Sequence, residues 1–239
     1  MSRLRNRAFR SGFTVCWSTP GVVLLGTSIG YGALANDAGL SAALAVAISA
    51  LFFALPAQVV LVDEIARGTG LIAIALAVSV TAIRLLPMAV TLVPYFQLKK
   101  DPAWLRIYAI HQLAITPWLE AQQRLPRVSP IVRLPLYAGI GTGIMVNTLV
   151  GTAVGHWLAG GLPTALSAAL LFMTPVYFLL SLIGTAVRLP HLLALGLGAA
   201  LGPVMFLALA DTGLDLLVTG LIGGTAAWVV ARQIDRAAR

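Results

Sequence analysis

Residues 71–96 read LIAIALAVSVTAIRLLPMAVTLVPYF, an apolar run with a single charged residue, Arg84, and a proline at 87. A helix of that length, at about 1.5 Å per residue, spans a hydrocarbon core of roughly 30 Å. An arginine near its middle costs roughly 2.5–3.5 kcal/mol even on lenient insertion scales, so it implies a partner inside the protein. Segments 13–35, 39–62, 134–158, 162–187, 191–210 and 216–231 are similarly long and almost free of charge. In lipid only helices and closed barrels satisfy their backbone groups, and continuous apolar runs do not alternate as barrel strands do. The expected fold is therefore an all-α, polytopic transmembrane helical bundle of seven to eight spans with proline-broken helices.

Composition agrees. The 239 residues are 59% hydrophobic and 10% charged, with a mean hydropathy of +0.93, whereas a soluble domain carries about a quarter charged residues. The net charge of +8 invites a nucleic-acid reading, but its placement argues against one. Arg3, Arg5, Arg7 and Arg10 crowd the start, Arg232, Arg236 and Arg239 the end, and Arg124, Arg127 and Arg133 lie between apolar runs. That is the cationic bias of cytoplasmic loops. The lone Cys16 excludes an intrachain disulfide and any metal site built on cysteines. No cofactor or metal is expected. The start resembles a signal peptide ending in Ala33–Ala35, but it is richer in Gly, Ser and Pro than such a segment should be.

Residues 103–123 decide the number of spans. This apolar piece is short for a crossing. If it crosses, there are eight passages with both termini inside, and Lys99, Lys100 and Arg106 fall outside with Arg67 inside. If it is re-entrant, the count changes. The positive-inside rule favours eight. Residues 1–12 read as a basic cytoplasmic tail and 13–239 as one transmembrane transporter domain. An internal three-helix repeat over 13–97 and 131–210 is suggested by the ordered prolines Pro56, Pro87, Pro175 and Pro203. The plain alternative is that Ala, Leu and Gly make any two spans look alike.

A proline within a helix frees a carbonyl one turn earlier, and in a membrane that group must find a partner or line a wet cavity. FALPAQVV puts Pro56, Ala57 and Gln58 at such a place, and FMTPVYF puts Thr174, Pro175 and Tyr177 at a second. Freed backbone groups beside an amide or a hydroxyl suit the two ends of a small zwitterion. A bare proline kink with a packed Gln is the bland reading of either one alone. Arg84 lies too deep to snorkel easily and suits a substrate carboxylate. The GxxxG pairs Gly26/Gly30, Gly151/Gly155 and Gly198/Gly202 are helix-packing devices, and Gly139/Gly143 and Gly220/Gly224 repeat the spacing. His111, His156 and His191 are far apart and no catalytic constellation is present, so an enzyme is not expected.

These residues resemble the AzlC-like family, the large subunits of branched-chain amino acid exporters. The likeness rests on FRSGF, TPGVVLLGTSIGYGALANDAGLS with its Gly39–Ser41 turn, Pro56-Ala57-Gln58, the Ala82-Ile83-Arg84 element, GIMVNTLVGTAVGHWLAGGLP and LFMTPVYFLLSL. It covers nearly the whole chain. Two departures stand out: Ala82 replaces the family's asparagine, leaving Thr81 as a substitute neighbour of Arg84, and AIHQLAIT lacks an acidic pair. The resemblance implies efflux of small neutral amino acids, valine, leucine or isoleucine and also methionine, across a bacterial inner membrane, with a small hydrophobic AzlD-like partner; proton drive is a further expectation, made with the mechanism that the broken helices and Arg84 suggest. The resemblance adds Asn147, within the GIMVN stretch, to the candidate substrate-binding residues. In that mechanism Arg84 and a half-helix end hold the substrate carboxylate, while Gln58 and freed carbonyls hold the ammonium. The competing readings are a membrane scaffold subunit using its glycine faces, and a channel for small neutral solutes.

Overall fold

The computed structural model describes residues 2–83, 85–96, 101–161, 163–185, 189–209 and 215–237. Among them are twelve α-helices and no strand: α1 (Ser2–Phe13), α2 (Thr19–Asp37), α3 (Ala42–Leu51), α4 (Leu55–Ala66), α5 (Leu71–Ala82), α6 (Leu85–Leu92), α7 (Ala103–His111), α8 (Ile115–Arg124), α9 (Pro130–Leu158), α10 (Thr164–Thr185), α11 (Leu189–Leu209) and α12 (Asp215–Ala237). The chain forms two compact units, Met1–Thr174 and Pro175–Arg239. By length and composition one described helix could cross a bilayer, Pro130–Gly161; Arg3–Trp17 and Thr19–Asp37, bent by 58°, pass together as a second.

In the first unit three prolines start helices, while Pro135 lies inside α9. Pro20, Pro56 and Pro130 each stand in the first turn of α2, α4 and α9. There the missing N–H would have had no intrahelical acceptor, so the residue costs nothing. Pro56 therefore does not sit mid-helix as expected: the break comes before it, at residues 52–54, with Ala54 extended at φ −146. Pro175 and Pro203 behave differently, lying inside the continuous helices α10 and α11.

The centre of the first unit is a seam of glycines. A Cβ on Gly139 or Gly143 would run into the carbonyls of Phe9 or Phe13, and one on Gly151 or Gly155 into those of Leu25 or Ile29. The rising numbers on both sides show α1 and α2 running parallel to α9 along its length. Without side chains the backbones approach to contact, and that close packing holds helices together where no hydrophobic drive separates them from lipid. Residues 2–13 are thus a packed helix and not a loose tail. α10 then runs back along α2, with Gly30 against Ser167 and Leu171 and Gly26 against Met173.

Two interrupted segments fold back on themselves. The first starts at the far end of α9, where the Leu40 carbonyl lies 2.8 Å from His156 Nε2 and Gly39, at φ +78, makes the turn. Its α3 descends past Thr152, and α4 returns: Val62 packs with Leu40, Ala45 and Ile48. The second starts at the near end, where Asp101 pairs with Arg5 at 2.9 Å. Its α7 climbs to Gln112, and α8 leads back to Pro130, where α9 begins. These are a far hairpin (α3–α4) and a near hairpin (α7–α8). Between them α5 lies against α4, Ile74 and Val78 packing with Ala57, and α6 ends at the near end with the Tyr95 carbonyl 3.5 Å from Arg133.

Segments 39–62 and 103–123 are thus each two short helices that turn back, and not one continuous helix. Arg106, at the start of α7 beside the Asp101–Arg5 pair, falls at the end that holds the N-terminal arginines and not opposite them.

Candidate functional site

The tips of the two hairpins meet. The far tip, residues 52–54, and the near tip, residues 112–114, share a local design: a helix ends, Ala54 or Ala114 adopts extended backbone, and a proline-bearing first turn opens the next helix. Between the tips lies an apolar cavity of about 400 Å³. The far tip and Ala57 form one wall; Val78 and Ala82 of α5 and Leu85, Leu86 and Ala89 of α6 form the second; Ile110, His111 and Leu113 form the third. Its size falls in the ~300–1,000 Å³ range of small-molecule sites.

Three backbone carbonyls near the tips, those of Ala50, Phe52 and Gln112, meet side chains. Gln58, fully buried, donates from Nε2 to the Phe52 carbonyl at 2.6 Å, and its Oε1 has no partner among the described residues. The expected amide is therefore present, but half of it already closes the far tip. At the near tip the Gln112 carbonyl accepts from the Tyr137 hydroxyl at 3.4 Å. The Gln112 amide is satisfied with its oxygen 2.9 Å from the Tyr108 hydroxyl and its nitrogen 3.2 Å from the Ala138 carbonyl. Gly141 leaves the space that amide occupies. His111 joins the tips, its Nε2 lying 2.9 Å from the Ala50 carbonyl.

The other candidates divide. Ala57 lines the cavity; Pro56 stands beside it and starts α4. Thr81 turns its hydroxyl back to the Ala77 carbonyl at 2.9 Å and does not line it. Asn147 is elsewhere: its Nδ2 donates to the Cys16 carbonyl at 2.7 Å and the Gly21 carbonyl at 3.2 Å, bridging the bend between α1 and α2. An amide there satisfies carbonyls that the bend leaves without helical partners. Arg84 lies outside the described residues, although Ala82 and Leu85 on either side of it line the cavity. The side chains of Thr174, Pro175 and Tyr177 also lie outside the described residues; their backbone belongs to α10. Gly26, Gly30, Gly151 and Gly155 are at the close contacts described above, whereas no described atom lies within 4 Å of a Cβ built at Gly198 or Gly202.

Sequence reasoning missed His111, Gln112 and Glu120. Glu120 is buried, pairs with Arg124 at 2.6 Å and accepts from the Ser18 hydroxyl at 3.2 Å, so it ties α8 to the start of α2. The available signal was a polar pair, His111-Gln112, interrupting an apolar run just ahead of a proline. No group of three His, Cys, Asp or Glu side chains suited to a metal ion occurs among the described residues.

No curated protein and no solved structure gives a significant match to this chain. One family model does, described as AzlC protein, over residues 20–162. The matched stretch holds α2, both hairpins, α5, α6 and α9, which are all the elements that build and support the cavity. With more than half of its length matched, this chain belongs to the AzlC family.

Proposed function

We propose that the chain is the large subunit of a bacterial inner-membrane exporter of branched-chain or other small neutral amino acids, working with a small hydrophobic AzlD-like subunit. The observation that carries this reading is the apolar cavity at the meeting point of two interrupted hairpins and the α5–α6 junction. Secondary transporters use such breaks because an unwound backbone offers dipoles to the charged ends of a substrate at the midplane. Membership of the AzlC family supports a membrane protein of amino-acid transport with a partner subunit.

In this reading the aliphatic side chain fills the apolar walls, Gln58 Oε1 accepts from the ammonium, and Arg84 takes the carboxylate. The topology is six crossings, formed by α1–α2, α5–α6, α9, α10, α11 and α12, with two re-entrant hairpins. Placing the near end of α9 in the cytoplasm puts the N-terminal arginines, Arg106, Arg124, Arg127 and Arg133 inside. Lys99 and Lys100 lie in the sequence between Tyr95 and Asp101, both at that end. Arg67 alone falls outside, a stronger positive-inside bias than eight passages give. The chain is thus a transporter subunit and not an enzyme, and we assign the drive to the proton gradient.

The test is efflux of preloaded valine and leucine from cells expressing the chain with and without its partner subunit, repeated with a protonophore. Efflux that needs both chains and stops on collapse of the gradient is the expected result. No efflux with insertion verified would overturn the exporter reading in favour of a scaffold, and efflux indifferent to the protonophore would point to a channel. Normal efflux by an inserted Arg84→Ala protein would remove the role given to Arg84.

A further inference from the structure

His111 has the one polar side chain among the described residues that line the cavity. It also bridges the two hairpins, with Nε2 2.9 Å from the Ala50 carbonyl at the end of α3. A carbonyl accepts, so the ring presents Nε2–H there. The ring lines the cavity at the near tip, where a substrate's polar end would come if its aliphatic part occupies the walls of Ala57, Val78 and Ala82. A carboxylate is the better acceptor, because hydrogen bonds to ionised groups are roughly twice as strong as neutral ones.

The two hairpins are not held equally. Besides this contact, the far hairpin is tied to α9 by Ser49 with Thr152 at 3.0 Å, and the turn that opens it by the Leu40 carbonyl with His156 Nε2 at 2.8 Å. The near hairpin is tied to α2, α6 and α9 through Glu120, Trp118, Tyr108 and Gln112. Release of Ala50 therefore removes the hydrogen bond that joins the two tips and leaves the near hairpin's own ties in place.

We propose that His111 is a substrate-binding residue and the latch of the far gate: its Nε2–H holds the Ala50 carbonyl in the empty site and moves to the carboxylate of a bound aliphatic amino acid, uncoupling the far hairpin. This rests on the exporter reading for its substrate, but the latch itself does not. The exchange swaps one acceptor for another, with no net change in protonation.

The experiment uses the full chain co-expressed with its partner subunit, in everted membrane vesicles. Leucine transport is competed by leucinol, which keeps the amine and side chain but lacks the carboxylate. His111→Leu is expected to lower the preference for leucine over leucinol by about tenfold, the worth of one charge-assisted hydrogen bond, and His111→Gln to restore part of it. An unchanged preference in His111→Leu overturns the binding role. For the latch, Leu113→Cys is introduced into a Cys16→Ala background and labelled with a membrane-impermeant thiol reagent from the far side. His111→Leu should speed labelling several-fold without substrate, and added leucine should do the same to the protein that keeps His111. Equal labelling rates overturn the latch. If vesicles with His111 intact move no leucine, the exporter reading fails by itself, and the effect of His111→Leu on labelling still decides the latch.

Discussion

The near and far hairpins share a plan and differ in how they are fastened. Each has two short helices, an extended alanine at the tip and a proline in the returning turn. Around the near hairpin, polar side chains reach three separate elements. Glu120 accepts from Ser18 at the start of α2, Trp118 donates to Thr91 on α6 at 2.9 Å, and Tyr108 meets Thr142 on α9 at 2.8 Å. Just ahead of it, Asp101 pairs with Arg5 of α1. The far hairpin is sealed mostly by its own Gln58 and by apolar packing. Hydrogen bonds are directional and fix a geometry, while apolar contacts tolerate sliding. The difference marks the near hairpin as the fixed wall of the cavity and the far one as the half with freedom to move.

Four substitutions sharpen or break that contrast. Gly141→Leu should cost the most, about 3 kcal/mol, because its side chain meets Gln112 in the seat of the near tip; thermal unfolding in detergent reads it as a large drop in midpoint or a loss of folded protein. Glu120→Ala should cost about 2 kcal/mol. Arg124 is 45% exposed, so its freed charge reaches water and the loss stays below that of a stranded buried ion. Gln58→Leu removes one of the two donors to the Phe52 carbonyl, leaving the Ala54 N–H, and should cost about 1.5 kcal/mol. Its effect should be local: hydrogen exchange at residues 52–54 rises while residues 112–114 keep their protection. Ser49→Ala should cost least, about 1 kcal/mol. A Ser49→Ala protein as unstable as Glu120→Ala would show the far hairpin to be anchored as firmly as the near one, and the contrast would fall.

Much of the site could be read from the chain, though not its shape. Pro56, Ala57 and Gln58 mark a helix break in the sequence, and the structure has one there. The family resemblance put Asn147 among the substrate candidates; its amide serves the backbone at a bend 126 residues away, at Gly21. In the sequence Glu120 stands near Arg124 in a charged stretch, where a solvated pair is the ordinary case. Its burial depends on Ser18, and no local pattern pairs those two. Gly151 and Gly198 belong to the same GxxxG spacing, yet one touches a backbone and the other has open space, since spacing states what is permitted and not what faces it.

By itself the sequence determined the class: charge-poor runs of this length leave the backbone no option but helices, and glycines at four-residue spacing allow those helices to close up. It also marked where helices break, because proline's missing N–H is a local property of one residue. Only the tertiary structure decided whether the chain after each break goes on or turns back. Apolar periodicity is the same for a crossing and for half of a re-entrant hairpin; the choice is made by contacts such as Asp101 with Arg5 and Val62 with Leu40, between residues that local sequence does not connect.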